Sequence, residues 1–247
     1  MLELLAAFAG SFVAGLLGSA VGLVLGTLRL PLILLLAGDP SSAAGTNVAI
    51  SAAAAAAGGA EHVRAGRVSW SAVAWMLPPT VAGAVAGALL GHRAPDTVLI
   101  GAAAAVIAWN GLDLLVRPVK PRQRARPRQA LGVVFGFVIG LLGGALGVIL
   151  GTLRMPALVR GVGLGLRDAI GTNLVVGAAL GLFAFAAHAA RVEVEWSLLG
   201  AGLAGALPGA WLGARLSGAV SEDVLRRGLG VLMLTVAAAL AVEGAFR

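Results

Sequence analysis

From Leu4 to Leu28 the chain runs 25 residues without a charged side chain, and from Ala130 to Leu153 it runs 24 more. In a helix, at about 1.5 Å per residue, either run covers a bilayer core of about 30 Å. No other environment accepts such a chain. It is 59% hydrophobic and 12% charged, with a mean hydropathy of +0.97, whereas soluble domains carry about 25% charged residues. The fold class that follows is all-α: a polytopic helical membrane protein. A β-barrel would read as short segments alternating apolar and polar residues; here the runs are continuously apolar and rich in Ala, Leu and Gly. The start, Met1-Leu2-Glu3, lacks the basic n-region of a cleavable signal, and its apolar run is too long for an h-region.

The second constraint is duplication. "GLLGSAVGLVLGTLRLP" (Gly15 to Pro31) aligns with "GLLGGALGVILGTLRMP" (Gly140 to Pro156), with 12 of 17 positions identical. "GTN" recurs at Gly45-Thr46-Asn47 and Gly171-Thr172-Asn173, His62 pairs with His188, and Trp70-Ser71 with Trp196-Ser197. Val81 to Arg93 aligns with Leu203 to Arg215, and the offset stays between 122 and 126 throughout. The chain thus divides into a first transmembrane repeat (1–116), a basic linker (117–129) and a second transmembrane repeat (130–247). The apolar segments fall near 4–28, 30–60, 68–91 and 97–116, then 130–153, 155–190, 196–214 and 224–243. The second segment of each half is broken, near Asp39-Pro40 and near Arg167-Asp168. Pro31 and Pro156 suit the first turn of a helix, where a missing N–H costs nothing. Ser42 and Asp168 suit its N-cap.

Charge speaks to topology rather than to polynucleotide. Six of the 18 basic residues lie in Arg117 to Arg128, and a basic block between membrane segments marks the cytoplasmic side; anionic lipid is the secondary partner, and nucleic acid is not expected. With that linker inside, four crossings per half put about ten Lys and Arg inside and six outside. An odd number of crossings, with the broken region re-entrant, makes the ratio roughly eleven to three. The count favours halves of opposite orientation, an inverted repeat of the kind that places transport sites at the repeat interface near mid-membrane. Cysteine is absent, which removes disulfides and thiolate chemistry. There is no HExxH among three scattered His, and the single lysine, Lys120, belongs to no phosphate loop. No metal, cofactor or catalytic residue is expected, and the chain does not read as an enzyme.

Several residues could carry function. Arg29 and Arg154 sit at matching points in apolar sequence, where an arginine costs about 2.5–3.5 kcal/mol on insertion scales. Either both snorkel from near a surface, or they bind an anion, for which the planar guanidinium offers a fork of donors. Helix N-termini at the breaks would add positive dipole ends, and Thr27 and Thr152 could donate hydroxyl hydrogen bonds. Thr46, Asn47, Thr172 and Asn173 fit interhelical hydrogen bonding or the same ligand; Asn47 shares a face with Ser51. His62 and His188 read as interfacial side chains or as coupling or gating groups, and Trp70 and Trp196 as belt anchors. Glycines spaced by four (Gly83, Gly87, Gly91; Gly205, Gly209, Gly213) let helix backbones approach. The formal GxGxxG at Gly200 to Gly205 lacks the strand a nucleotide fingerprint requires and reads as packing.

These residues carry a resemblance. Each half resembles the repeat of the sulfite exporter (TauE/SafE) family: a Gly-rich first helix, a Gly-rich motif before a proline, then "AxGTN" on the next helix. Here these are Gly22-LVLG-TLRLP31 with Ala43 to Asn47, and Gly147-VILG-TLRMP156 with Ala169 to Asn173; "HVRAGRVSW" (His62 to Trp70) resembles the family's basic loop and Trp. The resemblance implies a multi-pass permease of the inner or plasma membrane for small organic or sulfur-containing anions, with the duplicated segments forming its substrate site. One departure bears on which anion: the usual glycine triplet is reduced to Gly26 and Gly151, beside Val24-Leu25 and Ile149-Leu150. The rival readings are a non-transporting membrane scaffold docking a partner through the Arg-rich linker, and, further off, an enzyme acting on lipid phosphate. The partners expected are a small anionic substrate and the bilayer, with homo-oligomerisation left open.

Overall fold

The computed structural model describes residues 1–21, 26–91, 93, 95–116, 129–156, 158, 162–190 and 194–216, with scattered positions from 227 to 242; for some of these, Thr152 among them, only the backbone is described. The basic linker at 117–128 and the fourth segment of the second half fall largely outside the described residues.

Among the described residues the chain forms α1 (Leu2–Val21), α2 (Gly26–Ala37), α3 (Pro40–Arg64), α4 (Trp70–Gly91), α5 (Asp96–Val116), α6 (Gln129–Leu146), α7 (Gly151–Pro156), α8 (Leu166–Ala189) and α9 (Trp196–Leu216), with no strand. Among the described residues four stretches are long and apolar enough to cross a membrane: Leu2–Ala20, Trp70–Gly91, Arg167–Ala189 and Trp196–Leu216. Large apolar side chains such as Leu5, Val134, Leu182 and Trp211 lie exposed on their outer faces, as lipid permits and water does not. Trp70 and Trp196, each at the start of its helix, are also exposed.

The halves correspond element by element: α1 to α6, α2 to α7, α3 to α8, α4 to α9. They are interleaved rather than side by side. α1 packs chiefly on α9, and α6 on α4, so each half's first helix lies on the other half's fourth. The four-residue glycine spacing makes this possible. A Cβ on Gly205, Gly209 or Gly213 would strike the carbonyls of Phe8, Phe12 and Leu16 in turn, and one on Gly83, Gly87 or Gly91 those of Phe137, Leu141 and Ala145. Backbone meets backbone with no side chain between, and the ascending order makes both pairs parallel. In the centre, Gly59 meets Leu174 while Gly181 meets Ala52, so α3 and α8 run antiparallel. The core mixes both halves accordingly, with Val48 and Met76 clustering with Ile149, Leu174 and Leu180. Gly200 to Gly205 lies within α9; Gly202 and Gly205 of it pack against Ile50 and Phe8, while Gly200 faces open space.

Two helix starts differ from expectation. The N-cap of α3 is Asp39, whose carboxylate accepts from the Ser42 N–H at 2.7 Å, with Pro40 in the first turn. Ser42 is therefore the recipient of the cap. At α8 the cap position is Gly165, with no side-chain hydrogen bond, and Asp168 lies exposed within the first turn.

Candidate functional site

The break that sets up the site precedes the arginine. α6 ends at Leu146; Gly147 takes φ +64°, the left-handed conformation glycine adopts cheaply, and the Val148 N–H closes back on the Gly143 carbonyl at 2.8 Å. Gly147 also has no room for a side chain, because its backbone lies against Ala44 of α3. Val148, Ile149 and Leu150 are non-helical and buried, and α7 begins at Gly151. α2 likewise begins at Gly26, just after residues 22–25, which are outside the described set. Each new helix thus starts five residues before its proline, and the expectation of starts at Pro31 and Pro156 is corrected: Pro31 lies inside α2 and Pro156 ends α7. In the second half the left-handed Gly147 decides where the helix stops and restarts; the proline only forgoes a single bond further along.

Arg29 and Arg154 consequently stand in the first turns of α2 and α7, 3% and 0% exposed. That rules out snorkelling. Each is gripped by the asparagine of its own half's GTN triplet. The Arg29 Nε donates to Asn47 Oδ1 at 3.0 Å, and its Nη2 donates to the Asn47 carbonyl at 3.0 Å and to Ser51 Oγ at 2.6 Å. The Arg154 Nε donates to Asn173 Oδ1 at 3.1 Å. The amide nitrogens close the rings: Asn173 Nδ2 donates to the Gly151 carbonyl at 3.3 Å, and Asn47 Nδ2 to the Gly26 carbonyl at 3.1 Å. Asn47 Nδ2 also donates to the Gly147 carbonyl at 2.8 Å. This last bond ties the first half's site to the break of the second, 100 residues on.

Among the described residues no carboxylate pairs with either arginine; the ion pair between Glu61 and Arg64 is on the surface. Nor do three His, Asp or Glu residues come together. Arg154 goes further: its Nη1 and Nη2 are buried and have no acceptor among the described residues. A cavity of about 10 Å³, room for about one water, lies beside Arg29, lined by Gly18, Ser19, Gly26, Ser51 and Ala54 among others.

The other candidates are placed as follows. Thr27 is buried in the first turn of α2, and the side chain of Thr152 is outside the described set. The hydroxyls of Thr46 and Thr172 face the opposite half. Thr172 Oγ1 accepts from the Ser69 N–H at 2.9 Å and Thr46 Oγ1 from the Glu195 N–H at 3.2 Å, the residues just ahead of α4 and α9. Each supplies an acceptor where the first N–H groups of a helix have none inside it. His62 and His188 are buried rather than interfacial, and each lies against the other half's GTN glycine: His62 on Gly171, His188 on Gly45. The His188 Nε2 lies 2.8 Å from the Gly144 carbonyl, which makes that nitrogen the protonated one. Motif by motif the sequence pairs these residues within a half; that GTN meets the histidine and the helix start of the other half could be found only from tertiary structure.

Residues 6–240 match the protein-family model described as Sulfite exporter TauE/SafE. No curated protein and no solved structure matches the chain.

Proposed function

The chain belongs to the sulfite exporter TauE/SafE family, membrane transporters of sulfite and related anions, and on that premise we propose that it is a secondary transporter or facilitator for small organic or sulfur-containing anions, of the sulfite, sulfonate or sulfoacetate class, in an inner or plasma membrane. One observation carries this reading. Two guanidinium groups are buried in apolar helix layers, repeated by duplication, and no carboxylate among the described residues neutralises either. Removing a cation from water without a counter-charge costs several kcal/mol, and an oxyanion is the partner whose geometry suits the fork. The asparagines hold each arginine through Nε, orienting the fork. Thr27 and Thr152, on the same turns, are the further hydroxyl donors. Thr46 and Thr172 hold the two halves in register, and His62 and His188 sit where movement of one half past the other is felt first.

We read the two halves as inverted. Equivalent helices α3 and α8 run antiparallel, while α1 and α9, which are not equivalent, run parallel. A twofold axis in the membrane plane relates elements in this way, and such a plan exchanges access between two sides around a central site.

The test is reconstitution in liposomes with a flux screen over sulfite, thiosulfate, small sulfonates and carboxylates. Flux of at least one of these is expected, with a loss of about tenfold or more in Arg154→Gln, as the removal of a charged hydrogen bond of 1.5–3 kcal/mol implies. No flux for any anion would sink the reading. Undiminished flux in both Arg29→Gln and Arg154→Gln would leave transport standing and remove the arginine site.

A further inference from the structure

The two arginines are repeated in sequence but not in satisfaction. Arg29 spends its Nε and Nη2 donors on protein, Nε on Asn47 and Nη2 on the Asn47 carbonyl and on Ser51, which leaves Nη1 alone without an acceptor among the described residues. Arg154 keeps the Nε bond to Asn173, but its Nη1 and Nη2 face no acceptor among the described residues, although the side chain is 0% exposed. The sequence accounts for part of the difference. With the GTN triplets superposed, Ser51 corresponds to Gly177, so the hydroxyl that receives the Arg29 Nη2 has no counterpart in the second half. Ser19, beside Arg29, corresponds to Gly144.

We propose that the halves have divided their labour: Arg154 holds the anion through Nη1 and Nη2, and Arg29 is a positioning residue that locks α2 to α3. This rests on the anion-transport reading above. Two parallel N–H donors on one planar group match two oxygens of a sulfite, sulfonate or carboxylate, and a buried charged donor without a partner costs more than a neutral one. A bound oxyanion removes that cost at Arg154, whereas at Arg29 the Nη2 half of the fork is already taken by Asn47 and Ser51. Since Arg154 is sealed in this state, the anion reaches it when one half moves against the other, and single occupancy follows from there being one open fork.

The experiment is thermal unfolding of the purified full chain in detergent, at constant ionic strength in potassium chloride, titrated separately with sulfite, methanesulfonate and acetate. Wild type is expected to gain stability with at least one of them. Arg154→Gln should lose that gain while being no less stable than wild type without the anion, because it removes an uncompensated charge. Arg29→Gln should be the less stable variant without anion. Gly177→Ser, which supplies the missing acceptor, should weaken the apparent affinity at least tenfold, and it carries the test if Arg154→Gln does not fold. An anion-dependent gain retained in Arg154→Gln, or wild-type affinity in Gly177→Ser, overturns the assignment. A wild type with neither flux nor stabilisation by any anion overturns the transport reading itself. A wild-type response lost equally in Arg29→Gln and Arg154→Gln overturns only the division of labour.

Discussion

Asn47 makes three side-chain hydrogen bonds to two different segments: it accepts from Arg29 and donates to the Gly26 carbonyl, both in α2, and it donates to the Gly147 carbonyl at the break after α6. Replacement by alanine removes all three and leaves the Arg29 Nε with no acceptor, while the bond from Arg29 to the residue 47 carbonyl survives. Hydrogen bonds between helices in membranes are worth about 0.6–2 kcal/mol each, so three amount to roughly 2–6 kcal/mol, with the charged donor favouring the upper part. Ser51→Ala is the natural comparison. It loses one bond from Arg29, and the cavity beside it, about 10 Å³ in volume and enlarged by the missing hydroxyl, admits a water that restores much of it. A loss below about 1 kcal/mol is expected there. At roughly 2–4 °C per kcal/mol for a chain of this size, the midpoint falls by on the order of 10 °C for Asn47→Ala and by a few degrees at most for Ser51→Ala. Unfolding in detergent, followed by circular dichroism, reads both. A cycle with Arg29→Gln should be non-additive by about 0.5–3 kcal/mol, because the stranded Nε is then absent. Equal losses in the two single variants, or strict additivity in the cycle, would refute Asn47 as the junction between the halves.

Other outcomes follow from the same geometry. Gly87→Ala and Gly209→Ala should each destabilise by about 1–3 kcal/mol or more in detergent unfolding, since the new methyl meets the backbone of Leu141 or Phe12. Gly200→Ala, whose Cβ meets nothing within 4 Å, should be neutral or stabilising by up to about 1 kcal/mol; a loss there would contradict the packing account of α9. Thr46→Val and Thr172→Val should cost similar amounts, about 0.5–2 kcal/mol each as lost helix-start acceptors do, with anion selectivity in the flux assay unchanged.

Much of this was legible in the chain. Duplication comes from motifs repeated in the same order at a near-constant offset, and membrane-spanning helices from uninterrupted apolar runs. Asn47 and Ser51 share a helix face by spacing alone, and both prove to be partners of Arg29. What was not legible depends on long-range pairing or on a single dihedral angle. A proline looks like a helix start because its own geometry suits one; the restart at Gly151 is instead dictated by Gly147 at positive φ, pressed against a helix from the other half. The histidines sit next to charged loops in sequence, yet the exchange of helices between halves folds them inward. The contrast between Arg29 and Arg154 needed side-chain geometry, although Ser51 and Gly177 were in plain view as the difference that produces part of it.

The exchange of first and fourth helices also sets an order of assembly. α1 ends at Val21, and its partner α9 begins at Trp196. At roughly 5–20 residues per second of synthesis, α1 waits on the order of 10–30 s in the bilayer before its glycine-faced partner exists. During that interval its contact surface meets only lipid, or α1 of another nascent chain. The second half has no such delay, because α4 is already in place when α6 emerges. Insertion is therefore staggered in time: α6 meets its partner as it emerges, whereas the residues around both arginines, all before α9, are made before α1 has its own.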